Sequence, residues 1–70
     1  MELSARNQLK GTITSIKYGE VMAEVTVDIG GGNEVVSAIT RGSVEGLALR
    51  EGDSVVAIIK STEVIIGKER

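Results

Sequence analysis

The chain has 70 residues, a formal net charge of −2 and neither Cys nor His. A chain of this length forms one domain, here over 1–70, and it buries only about 60% of the surface that its unfolded form exposes. Disulfides and the usual Cys or His metal sites cannot supply the missing stability. We therefore expect the protein to be stabilised by self-association.

The composition also limits the class of function. Without His or Cys, the most common general base and the best nucleophile are both missing, and no acidic pair stands out, so we do not expect an enzyme. The weak negative charge argues against a nucleic-acid partner, which needs a basic face. Neither a leader nor an apolar run of membrane-spanning length is present, which indicates a cytoplasmic protein without a membrane partner.

The first half of the chain predicts three strands, over 11–17, 21–29 and 34–40. The second is the clearest, because Val21, Ala23, Val25, Val27 and Ile29 alternate with polar side chains or Met at period two. The glycines at 30–32 separate the second and third strands. They predict a hairpin turn and not a phosphate loop, since the Lys-Ser/Thr of a P-loop does not follow them.

The second half predicts a short helix capped by Ser43, with Val44 and Leu47 facing inward. A turn follows at 50–53, then a fourth strand over 54–60 and a fifth over 64–67. The unbroken apolar stretch 55–59 indicates a strand covered on both faces, in part by a neighbouring subunit; irregular packing in a small core is the alternative. This order predicts an all-β, five-stranded OB-like Greek-key barrel with one short helix between strands three and four.

Three polar clusters lie at predicted strand ends: SARN at 4–7, TRGS at 40–43 and KST at 60–62. Each combines hydroxyl groups with a cation, and none contains a carboxylate. Such a set offers hydrogen-bond donors and positive charge, which a tetrahedral dianion requires. Taken singly, each cluster is more typical of a turn or a helix cap than of an anion site.

The string SARNQLKGTI, residues 4–13, resembles the opening of the molbindin (Mop) family of small molybdate-binding proteins. The similarity continues over 36–43, 47–53 and 56–64, so it covers nearly the whole chain apart from the hairpin at 30–34. The resemblance implies an OB-like barrel that assembles as a homohexamer, a trimer of dimers, with oxyanions bound between subunits. Because the sequence contains no DNA-binding or ATPase domain, we expect a role in intracellular molybdenum storage or homeostasis.

The resemblance also implies which residues contact the anion. By matching position they are Ser4, Ala5, Arg6, Lys60 and Ser61 from one chain, with Thr40 from a neighbouring chain. Asn7, Ser43 and Thr62 match the motif as supporting residues. The implied ligand is molybdate bound as an oxyanion, without a cofactor or a separate metal ion; tungstate, an anion of nearly the same size and charge, stays open.

Two other functions are compatible with the predicted fold. OB-like barrels often bind single-stranded nucleic acid, but they use aromatic platforms and a basic groove, and this chain has one Tyr and no Phe or Trp. A structural assembly module with incidental anion contacts is the second alternative.

Overall fold

The computed structural model describes residues 1–69 and contains one antiparallel sheet in the strand order β3-β2-β1-β4. A short helix connects β3 to β4, and a single 3₁₀ turn follows β4. The elements are β1 (Asn7–Tyr18), β2 (Met22–Gly30), β3 (Asn33–Thr40), α1 (Arg41–Gly46), β4 (Ser54–Ile59) and the 3₁₀ turn Ser61–Glu63. The all-β class with one short helix after the third strand is therefore confirmed.

The core lies on one face of the curled sheet. The alternation predicted for the second strand is confirmed from Ala23 to Val27, since Ala23, Val25 and Val27 are all buried. Val21, predicted as the first inward residue, precedes the strand and is 72% exposed. Ile13 of β1 and Val44 of α1 complete the buried set, each only 1% exposed. Burial of these few aliphatic side chains supplies the main stabilising contribution of a single chain, and so small a core agrees with the expectation of self-association.

The hairpin between β2 and β3 forms where the three consecutive glycines predict it. Gly30, Gly31 and Gly32 have φ values of 93°, 64° and 79°, which side chains rarely tolerate. The Asp28 carboxylate accepts a hydrogen bond of 2.8 Å from the Gly30 N–H and so closes the turn. The glycine cluster is therefore a turn between strands.

β1 contains a register irregularity at the point where it also bonds to the loop that precedes β4. Its pairing with β2 shifts register between Ile13 and Ser15. At the same place Ile13 exchanges backbone hydrogen bonds with the loop before β4, donating to the Asp53 carbonyl (3.0 Å) and accepting from the Gly52 N–H (2.8 Å). These two bonds attach the start of β4 to β1.

The structure corrects the prediction for the helix. Thr40, not Ser43, is the N-cap of α1, and its hydroxyl accepts the Ser43 N–H at 3.0 Å. Thr40 ends β3 in an extended conformation, so its side chain reaches the amide three residues on, as an N-cap does. Val44 is buried as predicted, but Leu47 follows the helix and is 69% exposed.

A fifth strand is not found in the described residues. Residues 64–67, where it was predicted, pair with no strand of the same chain. Ile65 and Ile66 are 93% and 85% exposed. The sheet therefore has two free edges, β3 and β4. Among residues 1–69 no helix is long and apolar enough to cross a membrane.

Candidate functional site

Two of the three polar clusters meet where β1 begins and β4 ends. The two strands are antiparallel, with Asn7 opposite Ile59 and Gln8 opposite Ile58. Residues that precede β1 therefore lie beside residues that follow β4. This register brings the segment 4–6 next to the segment 60–62 at one end of the sheet.

A shallow pocket of about 220 Å³ lies between these segments. Ala5 is half-buried and the other lining residues are exposed, so the pocket opens broadly to solvent. It contains two cations and three hydroxyl groups but no carboxylate. The lining residues are Ser4, Ala5, Arg6, Lys60, Ser61 and Thr62.

Neither cation of the pocket has an acidic partner within the described part of the chain. The salt bridge found within residues 1–69 joins Arg41 to Glu45 at 3.7 Å, on α1. Arg6 and Lys60 form none there. Two unpaired positive side chains beside three hydroxyl groups make a site that donates hydrogen bonds and attracts negative charge.

Hydrogen bonds hold both walls of the pocket in position. The Asn7 side-chain amide donates to the Ile59 carbonyl at 3.1 Å, and the Gln8 amide donates to the Ala5 carbonyl at 3.0 Å. On the other wall, the Lys60 carbonyl accepts the Glu63 N–H at 2.9 Å and starts the 3₁₀ turn. Asn7 is thus a bracing residue and does not line the pocket. Gln8 was not singled out from the sequence, although its place in the SARNQ string was the available signal.

The third cluster lies elsewhere in the chain. Thr40 and Ser43 do not line this pocket, and their hydroxyl groups lie 2.7 Å apart at the start of α1. Thr40 pairs with Met22 at the far edge of the sheet from β4. One protomer therefore brings together the residues at 4–6 and 60–62. Their contacts with an anion, and the contact from Thr40 of a neighbouring chain, stay predictions.

The described residues form neither a metal site nor an aromatic platform for nucleic-acid bases. No group of three Asp or Glu residues within 1–69 lies close enough to hold a metal ion. The aromatic ring of Tyr18 is at the opposite end of β1 from the pocket, where the Arg41 guanidinium stacks over it at 5.2 Å from the ring centre. No aromatic platform is therefore available beside the pocket.

The sequence profile of the TOBE domain matches residues 3–66. The chain belongs to the TOBE domain family. Within that family it is similar to the Mop proteins, as its opening motif predicted. It is 50% identical over 66 residues to molybdenum-pterin-binding protein 1 of Clostridium pasteurianum, a match that covers 94% of this chain and 97% of the relative.

Solved structures of TOBE domain relatives share the fold. A molybdate-binding protein from Sporomusa ovata superposes with a TM-score of 0.90 at 44% identity, over 97% of this chain and all of the other. ModG, described as a cytoplasmic molybdate-binding protein and crystallised with molybdate bound, superposes with a TM-score of 0.88 at 46% identity. That match covers 93% of this chain and 46% of ModG, which is therefore about twice as long.

Proposed function

We propose that this protein binds molybdate in the pocket between residues 4–6 and 60–62. The observation that carries the proposal is the presence of Arg6 and Lys60 in one pocket without any carboxylate. Relatives that match the chain over nearly its full length are described as molybdenum-pterin-binding or molybdate-binding proteins. We infer a binding role and no catalytic one.

The lining, with two cations, three hydroxyl groups and no carboxylate, fits a tetrahedral oxyanion that carries no proton. Two cations offset the charge of a dianion, and hydroxyl and backbone N–H groups replace its hydration shell. Hydrogen phosphate keeps a proton that a carboxylate accepts best, and the pocket lining contains no carboxylate, only the weaker acceptor oxygens of hydroxyl groups. Molybdate and tungstate carry no such proton, so the site accepts either anion.

The pocket favours the inorganic anion over molybdenum bound to a pterin. A pterin ring would require an apolar or aromatic surface to stack on. The pocket is lined by small, polar or charged side chains, and Tyr18 lies at the other end of β1. Several relatives are described as molybdenum-pterin-binding proteins. We infer that the pocket of this chain binds the oxyanion alone and does not accommodate a pterin.

The pocket forms only part of a binding site in one protomer. Five of its six lining residues are exposed, so a bound anion would keep much of its hydration. We propose that a second subunit closes the site and contributes Thr40. The assembly we propose is a homohexamer built as a trimer of dimers, acting in cytoplasmic molybdenum storage or homeostasis.

Equilibrium dialysis with molybdate tests the proposal. Replacement of Arg6 by Ala should weaken binding about tenfold or more, because a hydrogen bond to a charged group contributes about 1.5–3 kcal/mol. Arg50→Ala is the matched control, since Arg50 is exposed and lies outside the pocket. Equal binding by the wild type and the Arg6→Ala variant would refute the site. Native mass spectrometry of the same samples counts both subunits and bound anions.

A further inference from the structure

The start of α1 is attached to the rest of the protomer by a small number of contacts. The helix spans Arg41–Gly46, and Val44 is the side chain that it buries in the core. Thr40, the N-cap, is exposed and ends β3, an edge strand that pairs only with β2 within residues 1–69. A segment with so few buried contacts moves easily unless another group holds it. The orientation of the Thr40 hydroxyl therefore depends on the contacts of its neighbours.

Arg41, the residue after Thr40, connects the start of the helix to the turn between β1 and β2. Its backbone N–H donates to the Val21 carbonyl at 2.8 Å. Its guanidinium donates through Nη1 to the Gly19 carbonyl at 3.3 Å. Both acceptors lie in the same turn, so one residue attaches the helix start to that turn through its backbone and through its side chain.

The turn itself is tightly closed. The Gly19 N–H donates to the Met22 carbonyl at 2.7 Å, and a Cβ atom at Gly19 would lie only 3.0 Å from the same carbonyl oxygen. Met22 also pairs with Thr40 in the β2–β3 ladder. The turn, the ladder and Arg41 therefore form a closed ring of contacts around Thr40.

Two further contacts orient the guanidinium of Arg41. It lies over the ring of Tyr18, 5.2 Å from the ring centre, within the range of a cation–π interaction. Its Nε is 3.7 Å from the Glu45 carboxylate, one turn along α1. The side chains of this ion pair are 46% and 64% exposed, so the pair adds little to stability. A planar guanidinium can stack and donate at the same time, which fixes its direction.

We propose that Arg41 is the positioning residue for Thr40 in the anion site that a neighbouring chain closes. The inference rests on the proposed function, in which Thr40 contacts the anion. Nε and Nη1 of Arg41 face Glu45 and Gly19 of its own protomer, so Arg41 acts through Thr40 and not as a third cation on the anion. A hydroxyl that is held in place before binding loses less conformational freedom on binding, which raises affinity.

Equilibrium dialysis with molybdate tests whether Arg41 acts through Thr40. We expect Arg41→Ala to weaken binding by about threefold to tenfold, a usual size for coupling between neighbouring residues. Arg50→Ala removes the same charge from an exposed position outside the pocket and should bind normally. The Thr40→Asn/Arg41→Ala variant should bind no more weakly than Thr40→Asn. The inference is overturned by an equal loss in Arg50→Ala, or by the same loss from Arg41→Ala in both backgrounds, since either result assigns the effect to charge.

Amide hydrogen exchange tests the positioning without any anion. The Ser43 N–H donates to the Thr40 hydroxyl at 3.0 Å, so its exchange rate reports how firmly that hydroxyl is held. In Arg41→Ala this exchange should accelerate about threefold or more. The Ile13 N–H, which donates to the Asp53 carbonyl, should exchange as in the wild type if the sheet is intact.

The two measurements separate the two proposals. Faster exchange at Ser43, together with a wild type that binds no molybdate, refutes the proposed function and leaves Arg41 as the residue that holds Thr40. Unchanged exchange at Ser43 refutes the positioning role, whatever the dialysis shows. Normal wild-type binding with unchanged exchange therefore refutes the inference alone.

Discussion

Asn7 and Ile59 are partners at the last position of the β1–β4 ladder, and the Asn7 side-chain amide donates a 3.1 Å hydrogen bond to the Ile59 carbonyl. This contact fixes the end of two strands that come from opposite ends of the sequence. The next residue outward on each strand is a cation, Arg6 on one and Lys60 on the other. This pair of residues therefore places the two cations at neighbouring positions just beyond the end of the ladder.

Replacing Asn7 by Ala should weaken both the fold and the site. Loss of the side-chain bond leaves the half-buried end of the ladder without one donor, which costs about 1 kcal/mol in the free energy of unfolding. Molybdate affinity should fall several-fold, because the two cations are no longer held together. Urea denaturation and equilibrium dialysis measure the two effects. Asn33→Ala, in the hairpin, is the control, and normal affinity in Asn7→Ala would show that the brace has no role in binding.

Lys60 should contribute to binding mainly through its charge. The Lys60→Met variant keeps an apolar stem and loses the ammonium group, so molybdate affinity should fall about tenfold and depend less steeply on salt concentration. Lys17→Met removes the same charge near the far end of β1 and should leave affinity unchanged. Calorimetric titrations at two salt concentrations provide the comparison. An identical salt dependence in Lys60→Met and wild type would mean that the ammonium group is remote from the anion.

Local patterns in the sequence were sufficient to predict most of the sheet. The alternation from Ala23 to Val27 depends only on the two-residue repeat of a strand, and the glycines at 30–32 depend only on backbone freedom. Both predictions are confirmed. The grouping of 4–6 with 60–62 needed the resemblance to Mop proteins, because register between distant strands is not encoded in either segment alone.

The predictions of the helix cap and of the fifth strand were not confirmed, because the local sequence was compatible with more than one partner in each case. Thr40 and Ser43 are both good capping residues, and the cap was decided by where β3 ends. The apolar pattern at 64–66 predicts a buried strand, which is not found among the described residues of the protomer. It does not say whether the covering surface belongs to the same chain, and in the protomer no such surface is in contact with it.

Gly11 should tolerate no side chain. A Cβ atom there would lie 2.4 Å from the Asp28 carbonyl oxygen and 2.6 Å from Cγ1 of Val27, so β1 and β2 would have to separate. We expect Gly11→Ala to lower the free energy of unfolding by about 1–3 kcal/mol, the usual cost of overpacking. Gly46→Ala, where a Cβ atom meets nothing within 4 Å, should be neutral or stabilise by about 0.4–1 kcal/mol. Urea midpoints for the two variants test this difference, and a stable Gly11→Ala protein would show that the strands can adjust.

Thr40 combines an observed structural role, the cap of α1, with a proposed binding role, and two substitutions separate them. Thr40→Val removes the hydroxyl that caps α1, so stability should fall by about 1 kcal/mol and molybdate affinity should fall as well. Thr40→Asn restores a capping oxygen but changes the group offered to a neighbouring chain. It should therefore recover the stability without recovering the affinity. Thermal unfolding and dialysis on both variants distinguish the roles, because wild-type affinity in Thr40→Asn would assign Thr40 to the helix cap alone.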